Sequence, residues 1–119
     1  MKKRAWKSKI RKACADVGTY RPSFDPVIDT LADILARRDE VQEMYGKSGG
    51  SPIIEHTNKS GATNFEQNPA LRMVNDLNRD ALAYWRDLGL TPAGLKRINE
   101  EGLQKKKGNA LAEALRDLG

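Results

Sequence analysis

A chain of 119 residues has room for one domain, and folding at that length buries about two thirds of the surface an extended chain exposes. Hydrophobic residues make up 39% and charged residues 31%, and no apolar run approaches the ~20 residues that span a bilayer, so a membrane-crossing helix is excluded. Cys14 is the single cysteine, which excludes an internal disulfide and a cysteine-based metal site and fits a reducing cytoplasm.

The net charge of +5 is concentrated at one end. Residues 1–22 hold Lys2, Lys3, Arg4, Lys7, Lys9, Arg11, Lys12 and Arg21 against Asp16 alone, whereas the other 97 residues hold 13 basic and 15 acidic side chains. MKKRAW has the charges of a signal peptide but no apolar stretch behind them. Trp6, Ile10, Cys14 and Val17 recur at spacings of four, four and three, which predicts an amphipathic helix over 4–17 with lysines on its flanks and far side. Gly18 is its expected C-cap, and Thr19 to Pro22 reads as a turn. A cationic face of this kind is an electrostatic footprint for phosphates, and equally a solvated helix surface.

Asp25-Pro26 reads as an N-cap followed by proline at the first helical position. Val27, Ile28, Leu31, Ile34, Leu35, Val41, Met44 and Tyr45 then carry a helical period as far as Gly46. Residues 46–67 lack that period: Ile53-Ile54 and Thr63-Asn64-Phe65 flank the turn-prone Asn58-Lys59-Ser60-Gly61, which fits a small β-hairpin or an ordered crossing loop. Asn68-Pro69 repeats the cap-plus-proline pattern and opens a second long helix with the stripe Leu71, Val74, Leu77, Ala81, Leu82, Trp85 and Leu88, closed by Gly89. Thr91-Pro92 opens a short third helix with Leu95 and Ile98. Lys105-Lys106-Lys107-Gly108 and the one-faced Leu111, Leu115 and Leu118 then read as a tail that orders only against a partner.

The expected fold is all-α: two long antiparallel helices as a hairpin, a basic N-terminal helix over 1–22, a central core over 23–98 and a flexible amphipathic tail over 99–119. Catalytic groupings are absent from the pattern. His56 sits in a Gly/Ser/Thr-rich loop with no second ligand nearby, Cys14 lies on an apolar stripe without a general base, and Gly46, Gly49 and Gly50 lack phosphate-loop spacing. Tyr84 and Trp85 suit a base-stacking platform, but their helical spacing points to packing. No catalytic residue, metal, cofactor or small-molecule substrate is expected.

Several stretches together resemble the small subunits of tailed-phage terminases, of the short helical type. They are Gly18-Thr19-Tyr20 with Phe24-Asp25, the loop Thr57-Asn58-Lys59-Ser60-Gly61-Ala62-Thr63-Asn64, Asn68-Pro69, and Leu88-Gly89-Leu90-Thr91-Pro92 followed by Leu95-Lys96-Arg97-Ile98. The resemblance implies a non-enzymatic part of the genome-packaging motor. Such a protein assembles as a ring, binds double-stranded viral DNA at the packaging start, and recruits and regulates the large subunit that holds the ATPase and nuclease. It implies the cytoplasm of the infected bacterium as the place of action, outside the mature virion. Relatives often carry a helix-turn-helix domain, for which some 22 residues are too few. The expected assignments follow: DNA contacts from Lys2, Lys3, Arg4, Lys7, Lys9, Arg11 and Lys12; oligomerisation through Ile28, Leu31, Leu35, Leu71, Val74, Leu77, Leu82 and Trp85; and large-subunit docking through Leu111, Leu115 and Leu118. A small dimeric transcription regulator and an assembly factor that ignores DNA are the rival readings.

Overall fold

The computed structural model describes residues 1–118; Gly119, the end of the expected tail, lies outside them. Helix α1 runs over Lys3–Val17 and closes on Gly18, whose φ of 78° is the left-handed conformation that glycine adopts without strain. A short 3-10 turn, Pro22–Phe24, leads into α2, Asp25–Lys47. Asp25 is therefore the first residue of the helix and not its N-cap: its carboxylate instead accepts hydrogen bonds from Arg11 Nε at 3.1 Å and the Tyr20 hydroxyl at 3.4 Å.

Beyond α2 the all-α expectation is corrected. Strands β1 (Ile53–Thr57) and β2 (Thr63–Gln67) pair antiparallel, with Ile53 opposite Gln67, Glu55 opposite Phe65 and Thr57 opposite Thr63. The turn explains why a hairpin forms here. Asn58 Oδ1 accepts from the backbone N–H of Ser60 and Ala62 and from the Ser60 hydroxyl, and Gly61 takes a φ of 83°. Asn68 closes the other end: its N–H donates to Pro52 O, its side-chain amide donates to Ser51 O, and its Oδ1 caps α3 at Ala70 N–H.

Helix α3 (Pro69–Asp87) lies antiparallel along α2, bridged midway by Arg38 and Asn78 at 3.2 Å. After Gly89 (φ 74°), α4 runs without interruption over Pro92–Leu118. This replaces the expected short helix and separate tail. Gly102 and Gly108 each cost a helix about 1 kcal/mol relative to alanine, too little to break a run otherwise rich in Leu, Lys, Ala, Glu and Gln.

The main core sits where α1 crosses the open end of the α2–α3 pair: Ile10, Cys14, Ile28, Leu31, Ala32, Leu35, Ala81 and Leu88, flanked by Trp6, Tyr84 and Trp85. A smaller cluster of Val41, Val74 and Leu77 holds the same two long helices nearer the β-hairpin. The molecule extends 85 × 28 × 20 Å, and its radius of gyration of 22.2 Å far exceeds the ~13 Å of a compact chain of this length.

Candidate nucleic-acid interface

Two rows of charge spaced four residues apart set how α1 sits. Lys3, Lys7 and Arg11 form one line along α1, and Asp25, Asp29 and Asp33 form one line along α2. The helices run antiparallel, so the rows mesh. Lys3 Nζ lies 3.1 Å from Asp29 and 3.2 Å from Asp33, Lys7 Nζ lies 3.2 Å from Asp29, and Arg11 Nε lies 3.1 Å from Asp25. The Arg11 hydrogen bond holds the Asp25 carboxyl below the usual carboxylate range, and the Lys3 and Lys7 hydrogen bonds do the same for Asp29. Each pair is partly exposed and screened, so the rail orients α1 more than it stabilises it.

Trp6 anchors the same face. Its indole N–H donates to Asp39 Oδ2 at 2.7 Å, and Asp39 also accepts from the Met1 amino group and from Arg38, both at 2.9 Å. Burial alone would push the Asp39 carboxyl up, but these three donors outweigh it and hold its pKa down. Two cations approach the ring, with Lys9 Nζ 5.2 Å and the Arg38 guanidinium 5.5 Å from its centroid.

The seven basic residues singled out in the sequence thus divide. Lys3, Lys7 and Arg11 face α2 and are neutralised there. Lys2, Arg4, Lys9 and Lys12 are exposed and make no ion pair among the described residues. Arg4, Ser8 and Lys12 follow one another at steps of four on the side of α1 turned away from Ile10 and Cys14, with Arg4 and Lys12 about 12 Å apart along the axis. The rail was legible in principle from the matching four-residue spacings of lysines and aspartates.

The apolar residues expected at subunit contacts divide as well. Ile28, Leu31 and Leu35 are fully buried, and Val74 and Leu77 nearly so, all within the chain's own core. Trp85 is half-buried against that core and Leu71 is half-buried. Leu82 is exposed at 47%. Leu111, Leu115 and Leu118 are exposed at 61–85% on the distal half of α4.

Elsewhere the chemistry is quiet. Burial pushes the Cys14 thiol up, against thiolate formation. His56 lies on β1 opposite Asn64. Among the described residues no group of three metal-ligating side chains comes together, and no helix is long and apolar enough to cross a membrane.

Two residues matter that the sequence did not single out for function. Thr19 is buried and its hydroxyl donates to Leu88 O at 2.7 Å. Gly94 is buried where a Cβ would run into the Arg86 carbonyl, which is how α4 approaches the end of α3 so closely. Only tertiary contact reveals either one. The stretches that carried the family resemblance meet in the same places: Thr19 packs against Gly89, and Asn58 to Ala62 builds the hairpin turn.

A search against protein families matches residues 3–105 to the family described as phage terminase, small subunit. The chain belongs to that family. No curated protein and no solved structure matches it. Membership places this small terminase subunit in phage DNA packaging, in a family that is generally non-catalytic.

Proposed function

We propose that this small terminase subunit is the DNA-recognising adaptor of the packaging motor: an oligomer that binds double-stranded viral DNA at the packaging start and recruits and regulates the large subunit. The observation that carries the reading is the division of charge on α1. A rail of ion pairs fixes one side of the helix to α2, and Arg4, Lys9 and Lys12, with Lys2 beside them, are presented outward. A few phosphate contacts per subunit give weak affinity singly and strong affinity when repeated around an assembly. The apolar line Leu111, Leu115 and Leu118 supports docking of the large subunit by a helix-in-groove mode. The site of action that fits this role is the cytoplasm of the infected host.

The test is DNA affinity as a function of salt for the assembled protein. Arg4→Glu/Lys9→Glu/Lys12→Glu is expected to weaken binding about tenfold or more and to flatten the dependence of log Kd on log salt, since each lost phosphate contact removes about 0.9 from the slope. A control with Lys96→Glu/Arg97→Glu, which reverses charge elsewhere, is expected to bind as the parent does. Unchanged binding by the triple variant moves the site away from α1. The rail also favours a second reading, because three of the seven cations are spent on docking α1: an assembly factor that never touches DNA, which the same titration would reveal by an absence of binding in the parent protein.

A further inference from the structure

The β-hairpin is an element whose order the rest of the chain does not explain. It projects from the far end of the α2–α3 pair, with Ile53 56% and Phe65 73% exposed and only Ile54 among the strand residues partly covered. A lone two-stranded hairpin is marginal in water, so an element that stays exposed on both faces calls for a neighbour. The strands are short and each carries one glutamate, but neither has the lysine, internal proline or bulge that also blunts an unpaired edge.

The hydrogen bonds that bracket the ladder fix its phase. Asn68 N–H donates to Pro52 O and Asn58 N–H donates to Ala62 O. Even-numbered residues therefore turn their amides into the hairpin. Ile53, Glu55 and Thr57 on one strand, and Thr63, Phe65 and Gln67 on the other, turn theirs outward. The Ser51 hydroxyl reaches Ile53 O at 2.6 Å, which leaves that carbonyl a second lone pair.

We propose that the outward edge of β2 in one copy of this chain pairs antiparallel with the outward edge of β1 in the next, setting Phe65 of one copy opposite Ile53 of its neighbour. The proposal rests on the assembly reading above and names the surface that carries it. The two edges of one hairpin run in opposite directions, so head-to-tail addition of identical copies repeats the antiparallel pattern without limit or closes it into a ring. The phase admits only registers that place odd residues opposite odd residues. Among these, Phe65 opposite Ile53 joins an aromatic to a β-branched side chain, a favourable cross-strand pair, and sets Thr63 against Glu55 with no like charges opposed. A slip of two residues in one direction repeats the hairpin's own pairs, sets Ile53 opposite Gln67 and loses the contact between Ile53 and Phe65. The next slip leaves Ile53 opposite Pro69, outside the strand.

The test uses the full-length chain. In the double variant Ile53→Cys/Phe65→Cys the two cysteines of one copy stand diagonally, about 7–8 Å apart at Cα and beyond disulfide reach, whereas cysteines paired across copies stand about 5.5 Å apart, within it. Cys14, fully buried, takes no part. Mild oxidation is expected to give a ladder of covalent multimers from the double variant and none from either single variant. Because the substitutions remove two strand formers, amide hydrogen exchange on the parent protein gives an independent reading: Ile53, Glu55, Thr63 and Phe65 are expected to be as protected as Ile54, His56, Asn64 and Glu66. A native mass that shows a multimer whose outward amides exchange freely overturns the strand pairing and leaves assembly standing. A parent chain that remains monomeric overturns both.

Discussion

Thr19 joins two turns that lie 69 residues apart in the chain. Its hydroxyl donates to Leu88 O at the end of α3, and its methyl group abuts Gly89, so one side chain registers the α1–α2 connection against the α3–α4 connection. Gly89 has no room for a side chain: at φ 74° a Cβ would sit 2.9 Å from both Thr19 Cγ2 and Ile98 Cδ1. Thr19→Val keeps the shape and removes the donor, leaving the Leu88 carbonyl with one partner fewer in a buried site. The expected cost is about 1–3 kcal/mol, read as a fall of several degrees in thermal midpoint with DNA affinity per assembled molecule unchanged. A midpoint within a degree of the parent's means the Leu88 carbonyl does not depend on Thr19. Of this joint, sequence alone shows Gly89 as a helix terminator and Thr19 as a turn residue. The contact between them depends on how three helices pack.

At the scale of elements, α1 is held by an apolar stripe buried in the core and oriented by a row of carboxylates on α2. Asp25, Asp29 and Asp39 all have pKa values held below the ordinary aspartate value of 3.8 by donors on or beside α1. A carboxylate with a lower pKa folded than unfolded contributes stability above its unfolded value and loses it as pH falls through the folded one. The carboxylate contribution to α1 docking is therefore complete at neutral pH and is lost progressively as pH falls below the ordinary aspartate value of 3.8, while the burial of Ile10 and Cys14 remains. Hydrogen exchange as a function of pH is expected to show α1 amides losing protection before the central turns of α3. Simultaneous loss would mean that α1 and the long helices unfold as one unit. The element boundaries read well where local chemistry sets them, as at Gly18, Asn68-Pro69 and Gly89. They read poorly where it does not: Asp25 looks like a cap until Arg11 claims it, and Gly102 and Gly108 look like breaks in a helix that passes through both. The candidate interface was legible as a cluster of charge on α1. Which of those charges face outward depends on aspartates 14–30 residues away, a pairing that only the antiparallel placement of α1 and α2 makes visible.

The whole molecule is an elongated body with work divided along its length: a three-helix core at one end of α2 and α3, a β-hairpin at the other, and α4 leading away from the core. Only the first turns of α4 are held. The Thr91 hydroxyl caps Gly94 N–H at 3.0 Å, Leu95 and Ile98 are half-buried, and every described residue from Asn99 onward is exposed. The helix is about 40 Å long, and its pairs Lys96–Glu100 and Arg97–Glu101 support the proximal half. Beyond Ile98 the helix presents Leu103, Leu111, Leu115 and Leu118 to solvent with no tertiary contact to repay their ordering. An arm of this form is removable if it serves a partner and indispensable if it serves the core. Deleting residues 103–119 is expected to shift the thermal midpoint by no more than about two degrees, because nothing buried is lost, and to leave the oligomeric mass per subunit unchanged apart from the missing segment. The same deletion is expected to abolish recruitment of the large subunit, measured by co-purification and by stimulation of its ATPase. Full recruitment by the shortened chain would place the docking surface on the body, where Leu82 and Met73 are the exposed apolar side chains of α3 left to supply it.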